Sequence, residues 1–336
     1  MASIADVAKL AGCSNTLVSR YINGKSGVSA ESGKKIQSAI DHLGYMPNAI
    51  ARSLVKQHTN MIGVVLDNLC ESFYFGLIDG IEDEMEQYGY NVVFCNGMNL
   101  REKQESYIDY FMQIRTEGIL IYGSYSTYAS LIARLKKTQI PFVIIEYDAH
   151  DEGVNNIVLD NAKGSEIVVD YLVKCGCRRI CHIGETKEIQ AARCREEGYL
   201  AAMKEHGLGN QIEIVGSGWS DEEGYDSVNL YLKGHRDLPD AFYFSSDQGA
   251  FGGIEALSEH GIAIPDECMI VGFDDDMPKK VYKCYRPLTT IHQPLHEMGS
   301  GAMRLLVSQI QNQKIDRRRI VYEPTLVVRD TTRMRG

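Results

Sequence analysis

The sequence predicts an α/β protein in two parts. Three short helices come first, and a larger core of two lobes follows, each lobe a parallel sheet covered by helices on both faces. Three observations predict this. The front of the chain, to about residue 46, spaces its apolar residues three and four apart between capping residues. From Met61 onward, short and almost wholly apolar strands alternate with helical stretches, which is how buried parallel sheets read. At 336 residues the chain exceeds one modest domain and suits a small module plus two lobes with cores of their own.

Ser3, with Asp6 three residues on, has the form of a capping box and opens a first helix with Ile4, Val7, Ala8 and Leu10 as one apolar stripe. Gly12 stands where a tight turn needs a residue tolerant of positive φ. Ser14 caps a second helix. Its Val18 and Ile22, four apart, face inward, while Asn15, Thr16, Ser19 and Arg20 look outward. A third helix follows Ser29, buries Ile36, Ala39, Ile40 and Leu43, and ends at Gly44. Two helices joined by a Gly-containing turn, the second polar on one side, form the helix-turn-helix that lays a recognition helix in the DNA major groove. Apolar stripes alone are equally those of any small three-helix bundle.

In the core, strand MIGVVLD precedes a helix from Tyr74 to Tyr88 and strand NVVFCN. A helix from about Arg101 to Ile114 leads to GILIYG, and one from Thr127 to Lys137 leads to PFVIIEYD. NIVLD, a helix from about Asn161 to Lys174, RRICHIG, a helix from about Gln190 to His206 and IEIVG continue the alternation. Helices after Asp221 and Asp247 flank AFYFSS and lead to CMIVGFDDD. TTIHQP, a helix from about Leu295 to Gln311, and strands near IVYEP and LVVR close the chain. Ligands of such open sheets sit at the carboxyl ends of the strands, here in the cleft between lobes.

The net charge of −10 argues against a nucleic-acid partner until its distribution is read. Residues 1–60 carry seven Lys/Arg against three Asp/Glu, whereas the remainder carries 28 against 42. A basic head on an acidic body keeps DNA at one end, because the body repels phosphate. The start, MASIADVAKL, is polar and helix-capping rather than a secretory signal, and no run of about 18 apolar residues spans a bilayer. Nine cysteines without secretory context point to free thiols in a reducing cytoplasm. Cys175, Cys177 and Cys181 beside His182 lack standard zinc spacing, so no metal and no cofactor are expected.

The head carries a longer signature than its stripes. DVAKLAGCS, VSR, IN and VS, then AI, LGY, PN, AR and the leucine two beyond, at this spacing, resemble the headpiece of the lactose/purine repressor (LacI/GalR) family. The resemblance covers nearly the whole chain. It departs at Leu17, where the family usually has Thr, at Gly33, where it usually has Arg, and at Val55, where some members are basic. It implies a periplasmic-binding-protein-like core and a homodimer on double-stranded, near-palindromic operator DNA, without a membrane partner. It further implies contacts from Ser14, Asn15, Thr16, Ser19, Arg20 and Asn23. Residues 48–58, NAIARSLVKQH, correspond to the family's hinge helix, which folds on DNA and inserts its leucine, here Leu54 beside the small Ala51, into a minor-groove base step. Read by itself, this segment is a linker with a stray leucine. The expected division is 1–46 headpiece, 47–60 hinge and 61–336 core. Lobe one takes about 61–160 plus part of 292–322, and lobe two about 161–291 plus the C-terminal strand.

Residues at strand ends supply the candidate effector site. Phe73 and Tyr74 follow the first strand, Asp160 ends NIVLD, and Trp219, the only tryptophan, follows IEIVG. Asp247 follows AFYFSS, Asp274 follows CMIVGF, and Gln293 lies just beyond TTIH. Arg195 matches the family's effector-holding arginine, a planar fork suited to paired hydroxyls or a carboxylate. Each has a structural alternative: Asp247 and Asp274 as helix caps, Trp219 as packing, Arg195 paired with Glu196 or Glu197. As a set they suit a polyhydroxyl effector such as a sugar or nucleoside, because carboxylates accept paired O–H donors and aromatic faces cover the ring.

An enzyme is a different class of answer, and the chain lacks G-x-S-x-G, G-x-x-x-x-G-K-[ST] and H-E-x-x-H. Asp274, Asp275 and Asp276 invite a Mg²⁺ reading, yet consecutive residues at a strand end point apart. A solute-binding protein would share the lobes but not the basic head.

Overall fold

A computed structural model describes residues 2–46, 58–98, 100–123, 128–149, 153–184, 189–235, 237–283, 285–312 and 319–334. Residues to Thr59 form one compact unit, and Asn60–Gly336 form another.

The first unit holds α1 (Ile4–Ala11), α2 (Asn15–Ile22) and α3 (Ala30–Leu43). Ser3 closes its capping box with Asp6 in both directions, and Ser14 and Ser29 cap the other two helices by accepting backbone N–H bonds. Gly12 and Gly44 end α1 and α3 in the left-handed region, where a Cβ is strained. Val7, Ala8, Ala11, Val18, Ile36 and Ala39 are buried together. Leu10, expected in the α1 stripe, is instead 52% exposed. Leu17 faces this cluster, as does the Tyr21 ring, whose hydroxyl donates to Gln37 Oε1. The same ring lies close over Gly33, where a Cβ would meet Tyr21 Cε2 at 3.1 Å.

In the second unit, β1 (Met61–Leu66), β2 (Asn91–Asn96), β3 (Gly118–Gly123), β4 (Phe142–Glu146), β5 (Asn156–Leu159) and β11 (Arg319–Tyr322) build one all-parallel sheet. Its order is β11-β5-β4-β3-β1-β2. Helices α4 (Phe75–Tyr88), α5 (Arg101–Ile114), α6 (Tyr128–Thr138) and α11 (Leu295–Ile310) belong to this lobe. Late in the chain, α11 packs against the early α4, and β11 pairs with β5, so the tail returns to lobe one.

The second lobe is a four-stranded parallel sheet, ordered β7 (Glu213–Ile214), β6 (Ile180–Ile183), β8 (Ala241–Phe244), β9 (Met269–Val271). Helices α7 (Asn161–Lys174), α8 (Gln190–Glu205), α9 (Asp221–Gly234) and α10 (Asp247–Glu259) flank it, packed as α7 with α8 and α9 with α10. Strands β10 (Thr290–His292) and β12 (Thr325–Val327) pair antiparallel as a separate ribbon. Ile119, Ile121, Val143 and Ile145 of β3 and β4, like every residue of β6 and β8, are buried. This is what strands covered on both faces require.

Candidate functional site

In the head, Ser14, Asn15, Thr16 and Arg20 are exposed on one stretch of α2, and Ser19 and Asn23 are half-buried beside them. Three are already engaged: Ser14 Oγ accepts from Leu17 N (3.2 Å), and Asn23 Nδ2 donates to the Ser19 carbonyl (2.7 Å) and to Ser19 Oγ (3.4 Å). These bonds fix the ends of α2. Asn15, Thr16 and Arg20 are therefore the side chains most open to a partner. Ala51 and Leu54 lie outside the described residues.

In the core, a cavity of about 200 Å³ opens between the lobes, at the carboxyl ends of both sheets. Lobe one contributes an aromatic wall: Phe73 and Tyr74 stand edge-on at 5.2 Å, and Tyr74 meets Tyr122 at 5.0 Å. Opposite is Arg195, on α8 and 2% exposed. Its Nε donates to Asn161 Oδ1 (2.8 Å), while Nη1 donates to the Ser245 carbonyl and to Asp274 Oδ1 (3.1 Å). Its guanidinium carbon lies 3.7 Å from the Phe273 ring centre and 5.6 Å from that of Trp219. The fork is thus held rigid from three sides, the condition for orienting a ligand.

Glu146, which ends β4, is 4% exposed and accepts at Oε1 from Asn161 Nδ2 (2.8 Å). Asn161 therefore links Glu146 of one lobe to Arg195 of the other. Glu146 and Asp274 both sit at positive φ, 75° and 123°, where a side chain is strained, and such residues gather where function demands a set orientation. Burial pushes Glu146 above the usual carboxylate range, and Asn161 and Arg195 oppose it. Burial likewise lifts Asp274, to about 7, against the pull of Arg195. At the cavity mouth, Ser72 Oγ donates to Asp276 Oδ1 (2.6 Å) and Lys279 Nζ meets Glu71 Oε1 (3.1 Å), so the lobes touch there too.

Of the eight expected residues, Phe73, Tyr74, Arg195, Trp219 and Asp274 line the cavity. Three do not. Asp160 caps α7 by accepting from Lys163 N (2.9 Å), and it is its neighbour Asn161 that bonds the wall residues Glu146 and Arg195. Asp247 lies behind the wall, accepting from Thr290 Oγ1 (2.6 Å) and Asp276 N (2.8 Å), while Ser246 is the cap of α10. Gln293 donates to Asp274 Oδ1 (2.7 Å) and so steadies a wall residue. Arg195 pairs with neither Glu196 nor Glu197.

Sequence reading missed Asp67, Glu71, Tyr122, Glu146, Gln248 and Asp276. Asp67, Tyr122 and Glu146 were findable, since each stands at the carboxyl end of a strand of lobe one. The three consecutive aspartates diverge as their backbone requires. Asp274 goes to Arg195, Asp275 to Arg329 and His292, and Asp276 to Ser72 and Gln248. Among the described residues no group of three or more His, Cys, Asp or Glu is arranged to hold a metal. Cys175, Cys177 and Cys181 are buried core thiols. No helix among the described residues is long and apolar enough to cross a membrane.

Residues 3–48 match the model of bacterial regulatory proteins, lacI family, and residues 169–332 match a periplasmic binding protein-like domain. The HTH-type transcriptional repressor PurR of Pasteurella multocida is 32% identical over the whole of both chains. The HTH-type transcriptional regulator RegA of Clostridium saccharobutylicum is 32% identical, with 98% of this chain and 99% of that one covered. Among solved structures, the Lac repressor bound to ONPG in its repressed state superposes with a TM-score of 0.85 at 26% identity, covering 98% of this chain and 99% of that one. The transcriptional regulator CelR in complex with cellobiose gives 0.72 at 25% identity, covering 98% and 100%.

Proposed function

The chain belongs to the lacI family of bacterial regulatory proteins and is a DNA-binding transcriptional regulator, and from that premise we propose that it represses as a homodimer on a near-palindromic operator under the control of a polyhydroxyl effector in the interlobe cavity. The observation that carries the effector half is the setting of Arg195. A rigid guanidinium faces an aromatic wall across a space of about 200 Å³, smaller than most drug-sized sites, and therefore suited to a single sugar or nucleobase-sized ring. Carboxylates around it accept O–H donors, and Tyr74 and Phe73 offer faces for the C–H side of the ring.

On the DNA side, Asn15, Thr16 and Arg20 read base edges, and Arg20 is suited to guanine O6 and N7. Ser14, Ser19 and Asn23 serve phosphate contact and helix ends. Ala51 and Leu54 serve minor-groove insertion, which the resemblance to the family supports. Two heads related by a twofold axis demand two half-sites, hence the near-palindrome. A ligand held by both lobes favours one lobe arrangement over the other, and only that difference in affinity can change operator binding.

Selection of bound duplexes from a random pool, with and without sugars and nucleosides, tests this directly. A recovered inverted repeat whose affinity changes with one of these ligands is the expected result. No preference over random competitor at cellular ionic strength overturns it. In the same assay Arg20→Ala should cost about 1–3 kcal/mol and relax one base pair per half-site.

A further inference from the structure

The charge and the unmet hydrogen-bonding groups of the cavity say more about its ligand than its shape does. Among the described residues five carboxylates line it, against two cations. Both cations are already committed, Lys279 to Glu71 and Arg195 to Asp274. Glu146 and Asp276 have no ion pair among the described residues. Two buried wall atoms also make no hydrogen bond, Glu146 Oε2 and Gln248 Oε1. Glu146 and Gln248 are 4% and 6% exposed, and they come from opposite lobes. The amide of Gln248 cannot turn its nitrogen inward without loss, because Nε2 donates to Asp276 Oδ2 and the Met277 carbonyl, both at 2.8 Å. The unmet atoms on both sides are therefore acceptors. A buried acceptor left without a donor is costly, and a second anion beside a buried carboxylate is costlier still.

We propose that Glu146 is the specificity-determining residue of this cavity: it accepts a hydroxyl or ammonium donor from an effector that carries no phosphate or carboxylate, while Gln248 accepts a second donor from the other lobe. This rests on the polyhydroxyl reading above and adds the charge class of the ligand. A free sugar, a free nucleoside or an amino sugar fits. Its phosphorylated counterpart is rejected, because the phosphate brings acceptors to acceptors and charge to like charge.

The test is a thermal-shift screen of the full-length protein against matched sets of sugars and nucleosides, each with its amino and phosphate derivative, followed by calorimetry of the hits. The parent or the amine should bind, and the phosphate should bind at least tenfold more weakly. Glu146→Gln keeps the bond from Asn161 and replaces only the unmet oxygen, so it should narrow that gap severalfold. Asp276→Asn serves as a second charge-only variant and should narrow it as well. A phosphate ester that binds the wild type as tightly as its parent overturns the inference and leaves the polyhydroxyl reading standing. So does discrimination that neither variant alters. If no polyhydroxyl member binds at all, the earlier reading falls first and takes this one with it.

Discussion

His182 is fully buried in the core of lobe two, stacked against the rings of Tyr199 (5.1 Å) and Tyr243 (4.6 Å). One ring nitrogen meets the Tyr243 carbonyl (3.0 Å), and Nε2 makes no hydrogen bond. Burial in this apolar, Arg195-facing position holds it down to about 4, because an imidazolium there has neither water nor a counter-ion. The unfolded chain binds the proton near 6.5, so the stability contributed by neutral His182 is complete above that value and is lost as pH falls from about 6.5 toward 4. The upper limit is about 3 kcal/mol for a shift of this size in a fully buried group. Denaturant midpoints of the wild type should fall between pH 7.5 and pH 5 more steeply than those of His182→Phe, which keeps the stack and cannot titrate. Equal slopes would assign the acid sensitivity to other groups. The sequence places this histidine beside Cys181 in an apolar strand without standard zinc spacing, and the structure stacks it among the tyrosines of the core.

Helices α4 and α11 are far apart in sequence yet cross so closely that each needs a glycine. A Cβ at Gly80 would lie 2.0 Å from the His296 carbonyl oxygen, and one at Gly299 would lie 2.3 Å from that of Leu77. Backbone meets backbone there, so no side chain can move aside to make room. Gly80→Ala should therefore destabilise the core by more than the about 1–3 kcal/mol usual for overpacking, and lower its melting temperature accordingly. Calorimetry of the core transition reads it, and an unchanged transition would mean the helices separate freely. Helix ends, in contrast, were legible from single residues, as Ser3 with Asp6, Ser14, Ser29, Gly12 and Gly44 show. A cap acts over three residues, whereas the partner of Gly80 lies more than 200 positions away. Strand ends fell between these cases. The apolar run IEIVG predicts a five-residue strand, but β7 holds only Glu213 and Ile214, paired with Cys181 and His182 of β6.

For the whole molecule, the basic head and acidic body set the conditions under which regulation operates. Phosphate contacts made by the head release counterions, so operator affinity should drop steeply between 50 and 200 mM salt, each lost Lys or Arg contact reducing the slope by about one. A flat response in fluorescence anisotropy would remove the head from the interface. The sequence by itself determined the two-part organisation, the capped recognition helix, the alternation of strand and helix and the family, because all of these are written in neighbouring residues or in residues one helical turn apart. It also placed five residues of the cavity, through the rule that ligands meet strands at their carboxyl ends. Only the tertiary structure decided which strand ends face each other. Asn161 rather than Asp160 joins Glu146 to Arg195, Asp247 stands behind the wall, and the unmet oxygens of Glu146 and Gln248 belong to opposite lobes of one cavity. The physical reason is one of range: caps and stripes are local, but a binding site is a meeting of side chains whose separation along the chain carries no trace of their separation in space.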